Sequence, residues 1–399
     1  MKYKKIDYII ALLILLIADN PIVMGNKYFA IGVFIFFSIV FIHRKQSLDL
    51  KLFVVIASVF LIITLQGLRW DYSYFTFFTY TVFKVITPYL AIKIIGIKYL
   101  RITSSIVYYI SIISLILYFG QIFILGFTSF LFSIESFFNP FSSLPVRPSI
   151  LIYTIATHTF EGGILRNSGM FHEPGAFAVF IVLSISINIM TSDSLFSKKN
   201  IVLLGALLTT FSTAGYLAII AVYLVYFYYI KRKNTKSLLL ASVIVLPTII
   251  YVLQMPFMMD KIEEHVLHET TMSIHSPTDG RILGARKALV VLSRYPITGR
   301  GLITASKETD WTSDEKAGYG YLKFFSEIGI VFSLFYIYFF IRGLKKIVYY
   351  YSDDKRYWVL FGIGLLINLF SQSFIGSGIF IMFFYIGLLN TINIRPKVI

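Results

Sequence analysis

The sequence predicts an all-α polytopic membrane protein, with about twelve transmembrane helices, both termini cytoplasmic and two long external loops, on three observations. Hydrophobic residues make up 57% of the 399 positions and charged residues 14%, and the mean hydropathy is +0.78. The apolar runs are continuous and of helix-spanning length, whereas the strands of a membrane β-barrel would alternate apolar and polar residues. Lys and Arg gather in short connections that all fall on one side once the amino terminus is placed in the cytoplasm. The chain reads as one integral membrane domain, 1–399, and the net charge of +16 reflects topology and affinity for an anionic leaflet, not a nucleic-acid partner. Cysteine is absent, which excludes disulfides, thiolate metal sites and thiol nucleophiles.

Met1-Lys2-Tyr3-Lys4-Lys5 has the charge of a signal peptide's basic region, but no small-residue cleavage site follows, so the first run is expected to stay as a helix. Spans are expected to start near Tyr8, Tyr28, Lys51, Tyr74, Thr103, Pro174, Asn200, Ala214, Lys236, Tyr319, Tyr357 and Gly376. Inner connections carry His43-Arg44-Lys45, Lys93 to Arg101, Lys198-Lys199, Lys231-Arg232-Lys233 and Arg342 to Lys346. Asn200 to Ile230 reads either as one long helix or as two short ones broken at Ser212-Thr213-Ala214-Gly215. The long external connections are 128–173 and 256–318, and they hold five of the six histidines. Nothing repeats between the two halves, which argues against a transporter built from duplicated bundles.

The stretch Arg166-Asn167-Ser168-Gly169-Met170-Phe171-His172-Glu173-Pro174-Gly175 sets a guanidinium, an imidazole and a carboxylate just before an apolar run. Ionisable groups there are costly, so they either function or form structural salt bridges. In the second loop, Thr278 or Asp279 caps a helix whose apolar face includes Ile282, Leu283, Ala285, Leu289 and Val290, and Tyr295-Pro296 ends it. Arg281 then lies in the first turn, where free amides favour an anion and a guanidinium adds a bidentate phosphate clamp; pairing with Asp279 is the alternative. Pro296-Ile297-Thr298-Gly299-Arg300-Gly301 follows as a tight turn. Lys323 and Glu327, one turn apart in the next span, read as a pair that neutralises itself, with a catalytic use as the alternative. Apart from these two, Asp19 and Lys84 are the ionisable residues placed inside spans. Arg69-Trp70-Asp71 and Arg147-Pro148 add external cations, and Trp70, Tyr72 and Tyr74 read as interfacial anchors. His265, His268 and His275 lack metal-ligand spacing, so no metal is expected, and no nucleotide or dinucleotide fingerprint suggests a cofactor.

With these residues in place, the pattern resembles the O-antigen polymerase and ligase superfamily, the Wzy-type polymerases in particular. The resemblance rests on Arg-x-x-Gly-x-Phe-x-Glu-Pro leading into a helix (Arg166 to Pro174), a Thr-Phe-Ser turn (Thr210 to Ser212), Gly-Arg followed by Pro-x-x-Gly-x-Gly (Gly280 to Gly301), and Tyr-Leu…Glu-x-Gly (Tyr321 to Gly329). Each motif is loose, and their order relative to the membrane is more specific than any one. The resemblance implies a metal-independent membrane glycosyltransferase of the GT-C kind in a bacterial inner (plasma) membrane, its active site facing the periplasm. Such an enzyme moves a growing O-antigen or capsular glycan from undecaprenyl pyrophosphate to a new lipid-linked repeat unit. Its partners would be those repeat units, membrane lipids and a chain-length regulator protein. Arg281 and Arg166, with Arg147 and Arg286 in reserve, would hold the pyrophosphate, and Glu173 or His172 would serve as base. Ligases of the superfamily carry a histidine just before the Tyr-Leu…Glu-x-Gly helix, where this chain reads Ala317-Gly318-Tyr319-Gly320, and this favours polymerase over ligase. Many relatives have Arg where this chain has Thr213, which would move one phosphate contact to Arg166 or Arg147. A ligase, and a non-enzymatic flippase of lipid-linked sugar, are the alternatives.

Overall fold

The computed structural model describes residues 4–23, 26–70, 78–138, 148–157, 165–192, 194–230, 281–301 and 320–389. Among them the regular structure is helical: α1 (Lys5–Asp19), α2 (Lys27–His43), α3 (Leu50–Trp70), α4 (Thr87–Ile95), α5 (Tyr99–Phe123), α6 (Phe127–Phe138), α7 (Pro174–Ser192), α8 (Lys198–Thr209), α9 (Thr213–Val225), α10 (Arg281–Arg294), α11 (Gly320–Tyr351), α12 (Tyr357–Ser371) and α13 (Gly378–Leu388). Among the described residues, five stretches are long and apolar enough to cross a membrane: Leu50–Leu68, Phe78–Phe123, Pro174–Ser192, Thr213–Ile230 and Gly320–Tyr351. The chain is therefore an α-helical membrane protein. Lys27–His43, Tyr357–Ser371 and Gly378–Leu388 are apolar but shorter, so the structure supports a helix bundle without fixing the expected number of spans. The expected start at Lys236 lies outside the described residues.

The local signals act where chemistry requires. Asn26 caps α2 by accepting from the Phe29 amide, and Ser197 caps α8 by accepting from the Asn200 amide. Of the two readings of Asn200 to Ile230, the broken one is observed. Phe211 adopts φ 47° and Ser212 caps α9 from Gly215, so the break falls at Thr210-Phe211-Ser212. Gly96, with φ 72°, divides the 46-residue apolar stretch Phe78–Phe123, since that conformation disfavours a side chain. Inside the segment expected as a long loop, α6 forms because Phe127, Leu131, Ile134 and Phe138 share one face, which packs on Tyr118, Tyr153 and Ile155.

Contacts among the described residues gather helix ends into two groups, one basic and one around a cavity. The basic end collects the connections expected inside: Arg44 meets Asp7 at 2.6 Å and Lys93 meets Asp49 at 2.9 Å, and the Tyr351 hydroxyl donates to the Ile97 carbonyl. Lys346 donates to the carbonyls of Ile386, Gly387 and Leu389, and Lys51 to that of Leu388, so two ammonium groups cap the negative end of α13. Deeper in the bundle, α11 and α13 approach until their backbones touch. A Cβ on Gly343 would strike the Phe383 carbonyl, and one on Gly387 the Phe339 carbonyl. Phe171 stacks on Phe180 at 4.6 Å, anchoring the chain just before α7 in the core.

Candidate functional site

At the other end of the bundle lies a cavity of about 450 Å³, walled by the end of α1 (Ala18, Asp19), by Tyr80 and Lys84, by His172 and Glu173 ahead of α7, by Lys323, Phe324 and Glu327 on α11, and by the Ser371–Phe374 link with Gly376 and Ser377. Three carboxylates, two amines and an imidazole thus converge on one space among apolar helices.

Each wall has a local cause. Pro88 has no N–H to donate to the carbonyl four residues earlier, that of Lys84, so the helix widens into a π-turn, Thr81–Ile86. The Thr87 amide closes the wide turn onto the Val82 carbonyl, which also accepts from the Thr87 hydroxyl at 2.8 Å, and the Tyr385 hydroxyl donates to the Val85 carbonyl at 3.0 Å. Lys84 lies at the centre of this turn and borders the cavity.

The stretch from Arg166 to Gly175 divides into a structural half and a site half. The Arg166 guanidinium donates to the carbonyls of Thr210 and Phe211, both at 3.1 Å, closing the Thr-Phe-Ser turn after α8. The buried Asn167 side chain donates to the Ser114 hydroxyl and to that of Thr209, the last residue of α8. Asn20 donates to the Met170 and Leu151 carbonyls, and the His172 amide donates to both the backbone and side-chain oxygens of Asp19. These bonds deliver His172 and Glu173 to the cavity, with His172 Nδ1 3.8 Å from Glu173 Oε1. Glu173 precedes Pro174, the first residue of α7, where the helix dipole favours a carboxylate. Gly175 leaves room for the Gln372 amide, which fills the position a Cβ would take.

Glu327 is held from the far side. Gly329 (φ 78°, ψ 168°) breaks α11, leaving backbone groups without helical partners, and the Pro296–Gly301 turn supplies them. The Arg300 amide donates to the Ser326 carbonyl at 2.8 Å, the Gly301 amide to the Glu327 carbonyl at 3.1 Å, and the Ile330 amide to the Pro296 carbonyl at 2.7 Å. The fully buried Gln66 side chain of α3 bridges the Thr298 and Glu327 carbonyls. Non-helical backbone inside a membrane protein survives only when satisfied in this way. Arg300 reaches past the turn to the Glu327 carboxylate at 3.3 Å.

Of the residues singled out in the sequence, the structure brings His172, Glu173, Lys323 and Glu327 together. Arg166 is placed on the Thr-Phe-Ser turn and does not line the cavity. Arg281 is the first described residue of α10, the residues expected to cap that helix and its own side chain lying outside what is described, and Arg286 on the same helix is exposed. Arg147 lies outside the described residues. Sequence reasoning placed Asp19 and Lys84 inside spans without giving them a role, and passed over Ser371, Gln372 and Ser377. A lysine four residues before a proline, and a Ser-Gln-Ser triplet between two apolar runs, were the signals available. The chain matches no protein-family model and no curated protein.

Proposed function

We propose that this chain is a membrane-embedded polysaccharide polymerase, a glycosyltransferase that transfers a growing glycan from a polyprenyl pyrophosphate to the distal sugar of a new lipid-linked repeat unit. The observation that carries this reading is convergence. His172-Glu173 and Lys323…Glu327 belong to two of the stretches on which the family resemblance rests, they are far apart in sequence, and they border one cavity. In the reaction, an acceptor hydroxyl forms a new bond to the anomeric carbon while the bond from that carbon to the pyrophosphate breaks. The electron pair leaves on the phosphate oxygen, and the hydroxyl proton passes to Glu173 or His172. Lys84 and Lys323 in the cavity are the described cations best placed to offset the charge that grows on the leaving group. Arg281 remains assigned to the same anion from the start of α10. The cavity end of the bundle would face the periplasm and the basic end the cytoplasm.

A polysaccharide gel on a deletion strain, with extraction of its lipid-linked intermediates, tests the reading. Surface glycan shortened to one repeat is the expected result, and Glu173→Gln should reproduce it. Long polymer trapped on the carrier lipid would make the chain a ligase, and an unchanged ladder would overturn the reading.

A further inference from the structure

The cavity does not end at its polar wall. Tyr80, Lys84 and Phe324 also border a second space, an apolar crevice of about 80 Å³ formed with Val55, Val59 and Ile62 of α3 and with side chains of α11 and α13. Lys84 thus stands where a polar chamber meets a hydrocarbon-lined one.

On the chamber side, two hydroxyls lack partners among the described residues. Ser371 and Ser377 are buried, 6% and 7% exposed, both border the cavity, and the hydroxyl of each makes no hydrogen bond to a described residue. Ser377 occupies the capping position of α13, yet its side chain caps nothing. Ser377 thus sets a hydroxyl donor on the chamber wall at the positive dipole end of an 11-residue helix. Buried hydroxyls without partners are costly, so this arrangement fits acceptor oxygens brought by a ligand. Each of the three acids has a partner of its own: Arg300 holds the Glu327 carboxylate at 3.3 Å, Asp19 accepts from the His172 amide, and Glu173 lies 3.8 Å from the His172 ring.

We propose that chamber and crevice form one bipartite site for a polyprenyl phosphate drawn from the membrane, with phosphate oxygens on Ser377, Ser371 and Lys84 at the amino end of α13, and the hydrocarbon chain in the crevice between α3, α11 and α13. A chain in the crevice leaves the site sideways, toward the bilayer, while a sugar on the phosphate extends into the chamber. The proposal deepens the polymerase reading by locating the carrier lipid, and rests on that reading only for the identity of the lipid.

The test is saturable binding of radiolabelled undecaprenyl phosphate to the purified full chain in detergent, with phosphatidylglycerol and inorganic phosphate as competitors. Lys84→Ala should raise Kd at least tenfold and Ser377→Ala several-fold. Ile62→Trp should do so by filling the crevice, and Ser58→Trp serves where the first variant lowers the thermal midpoint. Binding unchanged in folded Lys84→Ala and in a folded crevice variant would overturn the proposal. So would equal competition by phosphatidylglycerol, the mark of a general lipid surface, or full competition by inorganic phosphate, which would make the crevice irrelevant. An unchanged glycan ladder in the deletion strain would remove the polymerase reading and leave this binding result standing.

Discussion

The Arg300 guanidinium meets the Glu327 carboxylate at 3.3 Å across the contact between the Pro296–Gly301 turn and the Gly329 break in α11. Their side chains are only 6% and 18% exposed, so each limits the cost of burying the other. Because α10 leads directly into that turn, the segment expected as the second long loop is joined to the cavity wall through this pair. Replacing Arg300 by Gln and Glu327 by Gln, singly and together, should give a coupling of about 0.5–3 kcal/mol in a double-mutant cycle. Additive losses of stability would show that the pair is not a unit.

Gly329→Ala should destabilise the protein by about 1–3 kcal/mol from backbone strain alone, since its φ of 78° with ψ 168° is a region that glycine almost monopolises. The added Cβ would also strike the Ile297 carbonyl. Gly32→Ala, where a Cβ meets open space, is the comparison, and equal thermal midpoints for the two variants would refute the interlock.

Arg166→Ala should lower the thermal midpoint, because removing two donors from the turn carbonyls costs about 1–3 kcal/mol if those groups stay buried. Lys84→Ala should show the opposite pattern, with stability near that of the parent and no lengthening of the glycan. A stable but inactive Arg166→Ala would return Arg166 to the phosphate-binding set.

At the basic end, burial pushes the Asp49 carboxyl up, but the hydrogen bonds with Lys93 and Tyr89, together with the charges of Lys93 and Lys51, outweigh it and hold the group below the usual carboxylate range. A lowered folded-state value means that Asp49 stabilises the fold above the unfolded value of about 3.9, and that this contribution is lost as pH falls through the folded value. The gap in thermal midpoint between the parent and Asp49→Asn should therefore be full at neutral pH and close in acid. A gap that widens in acid would reverse the sign.

Much of the framework was legible in the chain. Continuous apolar runs set the helical class, and Asn26, Ser197 and Ser212 mark helix starts because side-chain oxygens satisfy free amides wherever they occur. Tyr295-Pro296 stops α10, and Pro174 starts α7, for reasons confined to one or two residues. The Pro-x-x-Gly-x-Gly turn and the Glu-x-Gly helix could be read only as two weak signals, since neither shows that the broken backbone of one is satisfied by the other.

The sequence by itself determined the solvent this protein needs, where most described helices begin, and that ionisable groups stand before α7 and along α11. The tertiary structure decided which of those groups meet. Arg166 and Glu173 are seven residues apart, yet one closes a turn after α8 and the other borders the cavity, while Lys84 and Glu327, remote along the chain, share that cavity's wall. The physical reason is that capping and hydropathy act over a few residues, whereas convergence on a cavity depends on how helices pack and where a π-turn at Pro88 and a break at Gly329 turn their side chains.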